Sequence, residues 1–347
     1  MIRSIEVWLK IIIVLSGIYI LSKATPIYLP IIVSIILAFI LNPMVDTLSQ
    51  WQVKLLNRKL GRGIAILIAF TVTSLVIAIT VTFIVVPFIH EFDNLVKNFP
   101  GILKRLQRLT IVIQERVETI AIAKQLPNVF EQLTSSVTTF SIDLVRKIIN
   151  SILNFATGIV EMVIVPVLTY YFLKDWKYIK ESTVNLFSQR SRKKINSVIE
   201  EMGSVISGYI RGQFLVCVVI GVLVFCGMYS FGVEYPLVLG LLAALTESIP
   251  IVGSIIGAVP AVLLAYTVEP ALALKVIVYY IVINQIENQI FVPKIMGSVI
   301  DLHPIAIIIS LLIGGQLFGI IGMIMAVPTA ALLKVVLKHL WITEEDR

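Results

Sequence analysis

Long apolar runs alternate with shorter polar stretches along this chain. Eight of the runs are long enough, or nearly so, to cross about 30 Å of hydrocarbon as helices. They occupy residues 9–22, 26–41, 64–87, 152–173, 209–231, 237–266, 271–291 and 304–337. Proline or glycine interrupts the sixth and eighth runs, which are too long for simple spans. The pattern predicts an all-α integral membrane protein with about eight hydrophobic segments, two of them broken.

Residues 88–150, between the third and fourth runs, follow a different pattern. Charges of both signs lie between apolar residues that recur at helical spacing, namely Leu103, Leu106, Ile113, Val117 and Ile120. This spacing predicts amphipathic helices that are too polar to span a membrane. Two interpretations remain open: a solvated helical loop, or a surface for subunit contact or for lying along the membrane.

These patterns divide the chain into five regions. We expect N-terminal membrane helices over residues 1–87 and the amphipathic extramembrane region over 88–150. A fourth membrane helix and a basic cytoplasmic segment follow over 151–208, then an internally repeated transport unit over 209–339 and a cytoplasmic tail over 340–347.

The two broken runs repeat one another. PLVLGLLAALTESIPIVGSIIGAVPAVLL from Pro236 aligns with PIAIIISLLIGGQLFGIIGMIMAVPTAAL from Pro304 at a constant offset of 68 residues. The offset also places Pro260 of one AVP triplet on Pro328 of the other. Interrupted segments in two corresponding units are typical of the binding site of secondary transporters.

The backbone breaks are predicted where helix-breaking residues cluster. They are Pro250 and Gly253 in the first copy, and Gly314, Gly315 and Gly319 in the second. If each broken unit returns to its own side of the membrane, the positive-inside rule is better satisfied than if each unit crosses. The charges therefore favour two re-entrant hairpins that are inverted relative to each other.

A polar wall ends the seventh run. On a helix, Asn284, Glu287 and Asn288 share one face, and Gln285 and Gln289 form an adjoining strip. Because a charge in hydrocarbon is costly, this wall should face protein or water. It predicts a substrate or cation site of amide and carboxylate oxygens; the alternative is that the span ends early and the cluster is an interfacial loop.

Glu247 and Gln316 are candidates at the breaks themselves. Glu247 precedes Pro250, so its carboxylate could coordinate Na⁺ or take a proton beside unwound backbone, or it could be a helix-end acid near the interface. Gln316 follows Gly314 and Gly315 in the second break.

Five further residues are secondary candidates: Glu161, Arg211, Gln213, Asp301 and His303. Glu161 is an intramembrane acid, which is functional by default, or a headgroup-level residue. Arg211 is favoured as a positive-inside anchor over an anion ligand, and Gln213 lies beside it at the start of the fifth run. His303, after Asp301, is favoured as a cap of the next helix over a proton relay.

The composition narrows the class of protein. The chain is 58% hydrophobic and only 14% charged, with a mean hydropathy of +0.98. Its net charge of +7 lies in loops such as 42–63 and 174–208, which predicts cytoplasmic loops and termini and argues against nucleic-acid binding. No phosphate loop, HExxH or GxSxG is present, so we predict neither an enzyme nor a cofactor or metal site.

The chain resembles the autoinducer-2 exporter family of bacterial membrane proteins. The resemblance is carried by YIRGQ (209–213), ESIPIVGSIIGAVPA (247–261), NQIENQIFVPKIMG (284–297), LHP (302–304) and GGQLFGIIGMIMAVP (314–328). It implies a multi-pass protein of the bacterial inner membrane. Some members of that family are assigned export of autoinducer-2, a quorum-sensing signal, and others resemble Na⁺(Li⁺)/H⁺ antiporters. Many members have Asn-Leu-Ile-Pro where this chain has Glu247-Ser-Ile-Pro, which favours cation coupling.

Together these features predict a secondary transporter or permease that exports a small polar solute such as autoinducer-2, with coupling to an ion gradient. An Na⁺(Li⁺)/H⁺ antiporter that uses Glu287 and Glu247 is the first alternative, and a non-transporting membrane scaffold is the second. The expected partners are the lipid bilayer, a small polar solute or a monovalent cation and proton, and further copies of the chain in a homo-oligomer.

Overall fold

The computed structural model describes residues 25–50, 52–53, 58–59, 61–117, 159–296 and 302–341. The first predicted run, 9–22, and Asp301 lie outside these ranges. The described residues form two compact units, one within Met1–Phe70 and Ile152–Thr183, the other within Thr71–Ser151 and Val184–Arg347. Two short antiparallel strands, β1 Gln52–Val53 and β2 Arg58–Lys59, pair Gln52 with Lys59.

The rest of the described chain is mostly helical. In chain order the helices are α1 Thr25–Gln50, α2 Arg62–Thr80, α3 Val86–Val117, α4 Ile159–Asn185, α5 Gln189–Ser230, α6 Pro236–Thr246, α7 Val252–Val268, α8 Pro270–Ile286, α9 Val292–Met296 and α10 Pro304–Trp341. A π-helical turn, Val81–Val85, joins α2 to α3, and another, Glu287–Phe291, joins α8 to α9.

Five helical stretches of the described chain are long and apolar enough to cross a membrane. They are Pro30–Gln50, Arg62–Asn98, Gln189–Ser230, Pro270–Met296 and Pro304–Leu340. Together with the shorter apolar helices α6 and α7 they confirm the predicted all-α membrane class. The amphipathic segment predicted from residue 88 is helical as far as Val117, and its remainder lies outside the described residues.

Arg62 joins three elements of the first unit. Its Nε donates to the carbonyl oxygen of Leu173 at 2.7 Å, its Nη1 pairs with Asp46 at 3.1 Å, and its Nη2 donates to Asn42 at 3.1 Å. Beside this network, buried side chains of α1, α2 and α4 form the unit's apolar core, including Val45, Ile66, Ala69 and Leu173. A single guanidinium therefore fixes the start of α2 against α1 and α4.

The first predicted break is a reversal of the chain. Gly257 on α7 packs against Ala243 on α6, with 3.2 Å between the place of its missing Cβ and the Cα of Ala243. A methyl group on Gly253 would overlap the carbonyl oxygen of Thr246. Helices α6 and α7 therefore form an antiparallel pair, called hairpin 1 below (residues 236–268).

The second predicted break is also a reversal. Helix α10 is interrupted at Gly319, where φ is 60° and ψ is −137°. A methyl group on Gly314 would overlap the carbonyl of Gly322, although eight residues of straight helix would separate them by about 12 Å. Residues 304–341, called hairpin 2 below, thus consist of two antiparallel arms, although Pro304–Leu340 is long and apolar enough to span by length and composition alone.

The two hairpins point in opposite directions along α5. Hairpin 1 starts just beyond the C-terminal end of α5, and its tip reaches back to Gln213, which donates to Glu247 at 2.7 Å. The far end of hairpin 2 lies near the N-terminal end of α5, where Lys338 pairs with Glu201 at 2.8 Å. Ile249, at the tip of hairpin 1, packs against Leu311 and Ala326 of hairpin 2. The repeat is therefore inverted, and the hairpins overlap beside α5.

Candidate functional site

Glu247 lies at the tip of hairpin 1 and is only 1% exposed. Helix α6 ends at Thr246, and the turn is closed by hydrogen bonds from the Ile249 amide to Thr246 (2.9 Å) and from the Gly253 amide to Ile249 (2.8 Å). Pro250 lies within this turn. The turn places the carboxyl group of Glu247 in the region where the two hairpins overlap.

Polar side chains of two other helical segments hold Glu247. The side-chain amide of Gln213 on α5 donates to its backbone carbonyl oxygen at 2.7 Å. The hydroxyl of Ser254 on α7 donates to its Oε2 at 3.1 Å. A buried carboxyl group needs a donor such as Ser254 because burial removes it from bulk water.

Glu287 is the second buried acid and is 7% exposed. Its side chain lies within interaction range of the Glu247 carboxyl, and the hydroxyl of Ser254 is in reach of both acids. Its Oε2 atom is buried and has no hydrogen-bond partner among the described residues. The structure thus brings together two acids that lie 40 positions apart in the sequence.

A π-helical turn sets the direction of Glu287. The turn covers Glu287–Phe291, two residues before Pro293, and the turn Val81–Val85 likewise ends two residues before Pro87. Proline lacks an N–H and its ring clashes with the carbonyl four residues earlier in a regular α-helix. A wider turn relieves that clash, and single π-turns inside α-helices are frequent at functional sites.

Repulsion between Glu247 and Glu287 restricts the charge states that the acid pair can adopt. Two buried carboxylates this close repel each other unless a proton or a cation neutralises one of them. Carboxylate, hydroxyl and amide oxygens are hard ligands suited to Na⁺, Li⁺ or a proton. The described residues contain no cluster of three or more His, Cys, Asp or Glu with the spacing of a transition-metal site.

A pocket of about 670 Å³ opens beside the acid pair, between α7 and α8. Its polar lining consists of Ser254, Tyr280, Asn284, Gln285, Glu287 and Asn288. Three members of the predicted polar wall therefore line the pocket with Glu287, while Gln289 is exposed and lies outside the lining. Asn288 donates to the side-chain oxygen of Asn284 at 3.0 Å, so the amides form a linked pair.

The other predicted candidates lie elsewhere. Gln316 is exposed near the tip of hairpin 2, and Arg211 is exposed and bonds to Ser207 one turn earlier on α5. His303 is exposed and its Nδ1 accepts the amide of Ile305 at 3.3 Å, which is the capping geometry favoured from the sequence. Glu161 lies on α4, and its side chain is outside the described part of the structure.

The predicted breaks have different physical roles. Gly253 and Gly314 permit close contact of antiparallel backbones, and Gly315 lies against the Met323 side chain, 3.2 Å from the place of its missing Cβ. Gly319 supplies a backbone conformation that is almost exclusive to glycine.

Ser254 and Tyr280 are site residues that sequence reasoning missed. Ser254 contacts the acid pair, and the hydroxyl of Tyr280 donates to the carbonyl of Gly257 at 3.2 Å across the pocket. The approach of Ser254 to Glu247 depends on the tight turn between Thr246 and Gly253, which residue spacing in the sequence does not reveal.

The sequence is similar to those of known membrane transport proteins. The family model for AI-2E family transporters matches residues 9–342. The "Putative transport protein YrrI" of Bacillus subtilis is 29% identical over 313 residues, covering 90% of this chain and 86% of that protein. The "Putative permease PerM" of Escherichia coli K12 is 28% identical over 338 residues, covering 95% and 92%. A "Sodium-lithium/proton antiporter" of Halobacillus andaensis is 26% identical over 328 residues, covering 91% and 90%.

Proposed function

The chain belongs to the AI-2E family of transporters, and from this premise we propose that it exchanges a monovalent cation for protons at Glu247 and Glu287. The observation that carries the proposal is the buried acid pair, with the free Oε2 of Glu287, at the overlap of two inverted hairpins. Intramembrane acids at such helix breaks are the usual sites of ion coupling.

The acid pair can exchange a proton for a cation because two negative charges repel each other strongly in a buried site. With no cation bound, a proton shared by Glu247 and Glu287 limits their repulsion. When a cation arrives between them, it supplies the neutralising charge and the proton leaves. Ser254 then donates to the carboxylates, and Gln213 holds the backbone of the tip in place. Cation and proton thus compete for one site, which is the requirement for antiport.

The test uses purified full-length protein in liposomes that are acidic inside. Addition of NaCl or LiCl outside should collapse the pH gradient reported by an internal dye, and choline chloride should not. Glu247→Gln and Glu287→Gln should each reduce the rate to that of protein-free liposomes. Each substitution keeps the side-chain shape and removes the proton that antiport requires.

The matched control is Glu269→Gln, the same change at an exposed carboxylate at the base of hairpin 1. It should retain the wild-type rate. If both site variants exchange Na⁺ as fast as the wild type, or if correctly inserted wild-type protein shows no response to either cation, the antiport proposal is wrong.

Export of a small neutral polar solute, autoinducer-2 among them, is the second candidate. The observation in its favour is the size of the pocket, since about 670 Å³ far exceeds what a bare cation fills. The amides of Asn284, Gln285 and Asn288 would then bind the solute. Glu287→Gln should leave such export largely intact, and uptake of labelled solute into inverted vesicles would measure it.

Location and assembly belong to the same proposal. The charge pattern supports termini in the cytoplasm, and the resemblance to the family supports a location in the bacterial inner membrane. We expect a homo-oligomer in which the 88–150 region contributes to subunit contact, and light scattering of the detergent-solubilised protein measures its mass.

A scaffold without transport would retain its phenotype after the polar wall is made apolar.

A further inference from the structure

The pocket beside the acid pair is a groove with a long axis. It runs from Ile251, just before α7, to Leu263, and from Ile277 on α8 to Asn288 in the following π-helical turn. At about 1.5 Å rise per residue these stretches are about 16–18 Å long. A Na⁺ or Li⁺ ion at Glu287 would occupy only one end of this length, so the remainder needs another explanation.

The lining changes character along the groove. Ser254, Asn284, Glu287 and Asn288 lie toward the tip of hairpin 1. Ala258, Val259, Val262, Leu263 and Ile277 lie toward its base and are all apolar. The groove therefore has a polar, acidic end and an apolar end, which matches a ligand with a polar head and an apolar body.

The groove is open along its side. Ile255 of α7 is 65% exposed and Ile281 of α8 is 56% exposed, and both line it. Its volume of about 670 Å³ lies within the range of about 300–1,000 Å³ that is usual for drug-sized ligands. An organic molecule could therefore enter from the apolar side.

The charges of the lining select the sign of the head group. Glu287 lines the groove, its Oε2 is buried without a hydrogen-bond partner among the described residues, and its carboxyl group lies within interaction range of Glu247. None of the described residues that line the groove is Lys, Arg or His. An anionic head would be repelled at the acidic end, whereas a cationic head would be attracted there and would offset the negative charge of the pair.

We infer that the groove binds an amphipathic organic cation, with an ammonium head at Glu287 and an apolar body between α7 and α8. The inference rests on the proposed function, because such a cation takes the place of Na⁺ at the acid pair and displaces the same proton. The substrate class then extends from monovalent metal ions to quaternary or primary ammonium compounds with an apolar tail.

The test compares three probes on the full-length protein in phosphatidylcholine liposomes. Octyltrimethylammonium carries head and tail, tetramethylammonium carries the head alone, and octyl sulfate carries the tail with the opposite charge. Octyltrimethylammonium should inhibit Na⁺-triggered collapse of the pH gradient at a concentration at least about tenfold below that of tetramethylammonium, because each buried methylene adds about 0.8 kcal/mol. Octyl sulfate should not inhibit.

Two tryptophan variants test where the octyl tail binds. Val259→Trp fills the apolar end of the groove and should raise the inhibitory concentration of octyltrimethylammonium about tenfold. Val278→Trp makes the same change at an exposed position of α8 outside the groove and should leave it unchanged. Equal potency of the two ammonium probes, or equal behaviour of the two tryptophan variants, would overturn the inference.

The outcomes separate this inference from the proposed function. A Na⁺ response in the wild type with no advantage of the octyl tail overturns the amphipathic cation and leaves antiport standing. Thermal stabilisation by octyltrimethylammonium without any Na⁺ response supports the groove and overturns metal-ion antiport. Stabilisation by octylphosphocholine equal to that by octyltrimethylammonium would identify the occupant as a lipid and would overturn the cation assignment.

Discussion

Ile251 and Gly319 occupy the same position in the two hairpins, 68 residues apart, and both have a positive φ, 70° and 60° respectively. At Ile251 the amide of Val252 donates to the carbonyl of Pro250 at 2.8 Å, and ψ is −47°. This is a γ-turn of the rare positive-φ form, which is strained. One hairpin thus turns at glycine, and the other turns at a β-branched residue beside the acid pair.

Ile251→Gly should stabilise the protein by about 1 kcal/mol, because glycine adopts a positive φ without the strain that isoleucine stores. Half of the Ile251 side chain is exposed, so little apolar contact is lost. Thermal unfolding in detergent should show a higher Tm. Gly319→Ala should lower the Tm, and a lower Tm for Ile251→Gly would show that the turn at this tip is not strained.

Gly253→Ala should prevent correct folding of hairpin 1, because the added methyl would overlap the carbonyl oxygen of Thr246. A backbone atom cannot move aside as a flexible side chain can. Gly101→Ala is the control, since nothing lies within 4 Å of the place of its missing Cβ and alanine favours a helix there. Size-exclusion profiles of both variants would measure the difference, and a monodisperse Gly253→Ala protein would contradict the close contact.

Much of the fold could be predicted because hydropathy and symmetry both lie in the sequence. The apolar runs give the membrane helices, and the offset of 68 residues between Pro236 and Pro304 gives the repeat. The π-turn at Glu287 could not be placed, because regular helical spacing assumes 3.6 residues per turn throughout. Pro293 was the only sign that the spacing changes there.

The candidate site residues were chosen from the sequence by their chemistry, because their contacts could not be foreseen. Buried acids are costly, so Glu247 and Glu287 could be selected from the sequence alone. Their meeting depends on a hairpin tip and a π-turn, which residue spacing does not reveal. Gln316 and Gln289 looked equivalent to their neighbours in sequence, yet neither lines the pocket, because the direction in which a helix face points is not visible in residue spacing.

Glu91→Ala should destabilise the protein by about 1–2 kcal/mol, the usual cost of losing a helix cap. Oε2 of Glu91, on α3, accepts the amides of Leu237 (3.1 Å) and Val238 (3.2 Å) in the first turn of α6. The anion also complements the helix dipole. Asp93→Ala on the same helix should cost far less, since its partner Lys97 is an exposed neighbour. Equal Tm values for the two variants would rule out the cap.

Arg62→Lys should destabilise the first unit by about 1–3 kcal/mol, because lysine cannot reach Leu173, Asp46 and Asn42 together. The fork of the guanidinium supplies donors in three directions, whereas an ammonium is a single point of charge. Arg108→Lys, at an exposed position of α3, should leave the Tm unchanged. Thermal unfolding of both proteins decides the matter, and equal stability would mean that the network contributes nothing.

Ser254→Ala should raise the KM for Na⁺ about tenfold, since a hydrogen bond to a charged group contributes about 1.5 kcal/mol. The hydroxyl of Ser254 is in reach of both acids, so its loss leaves the occupied site without its neutral ligand. Ser254→Thr keeps the hydroxyl and should restore most of the affinity. Ser310→Ala is the control, because that hydroxyl bonds only to the carbonyl of Ala306 one turn earlier. Na⁺ titrations of pH-gradient collapse would measure all three variants. If KM stays at the wild-type value in Ser254→Ala while the Tm falls, Ser254 stabilises the hairpin and does not bind the cation.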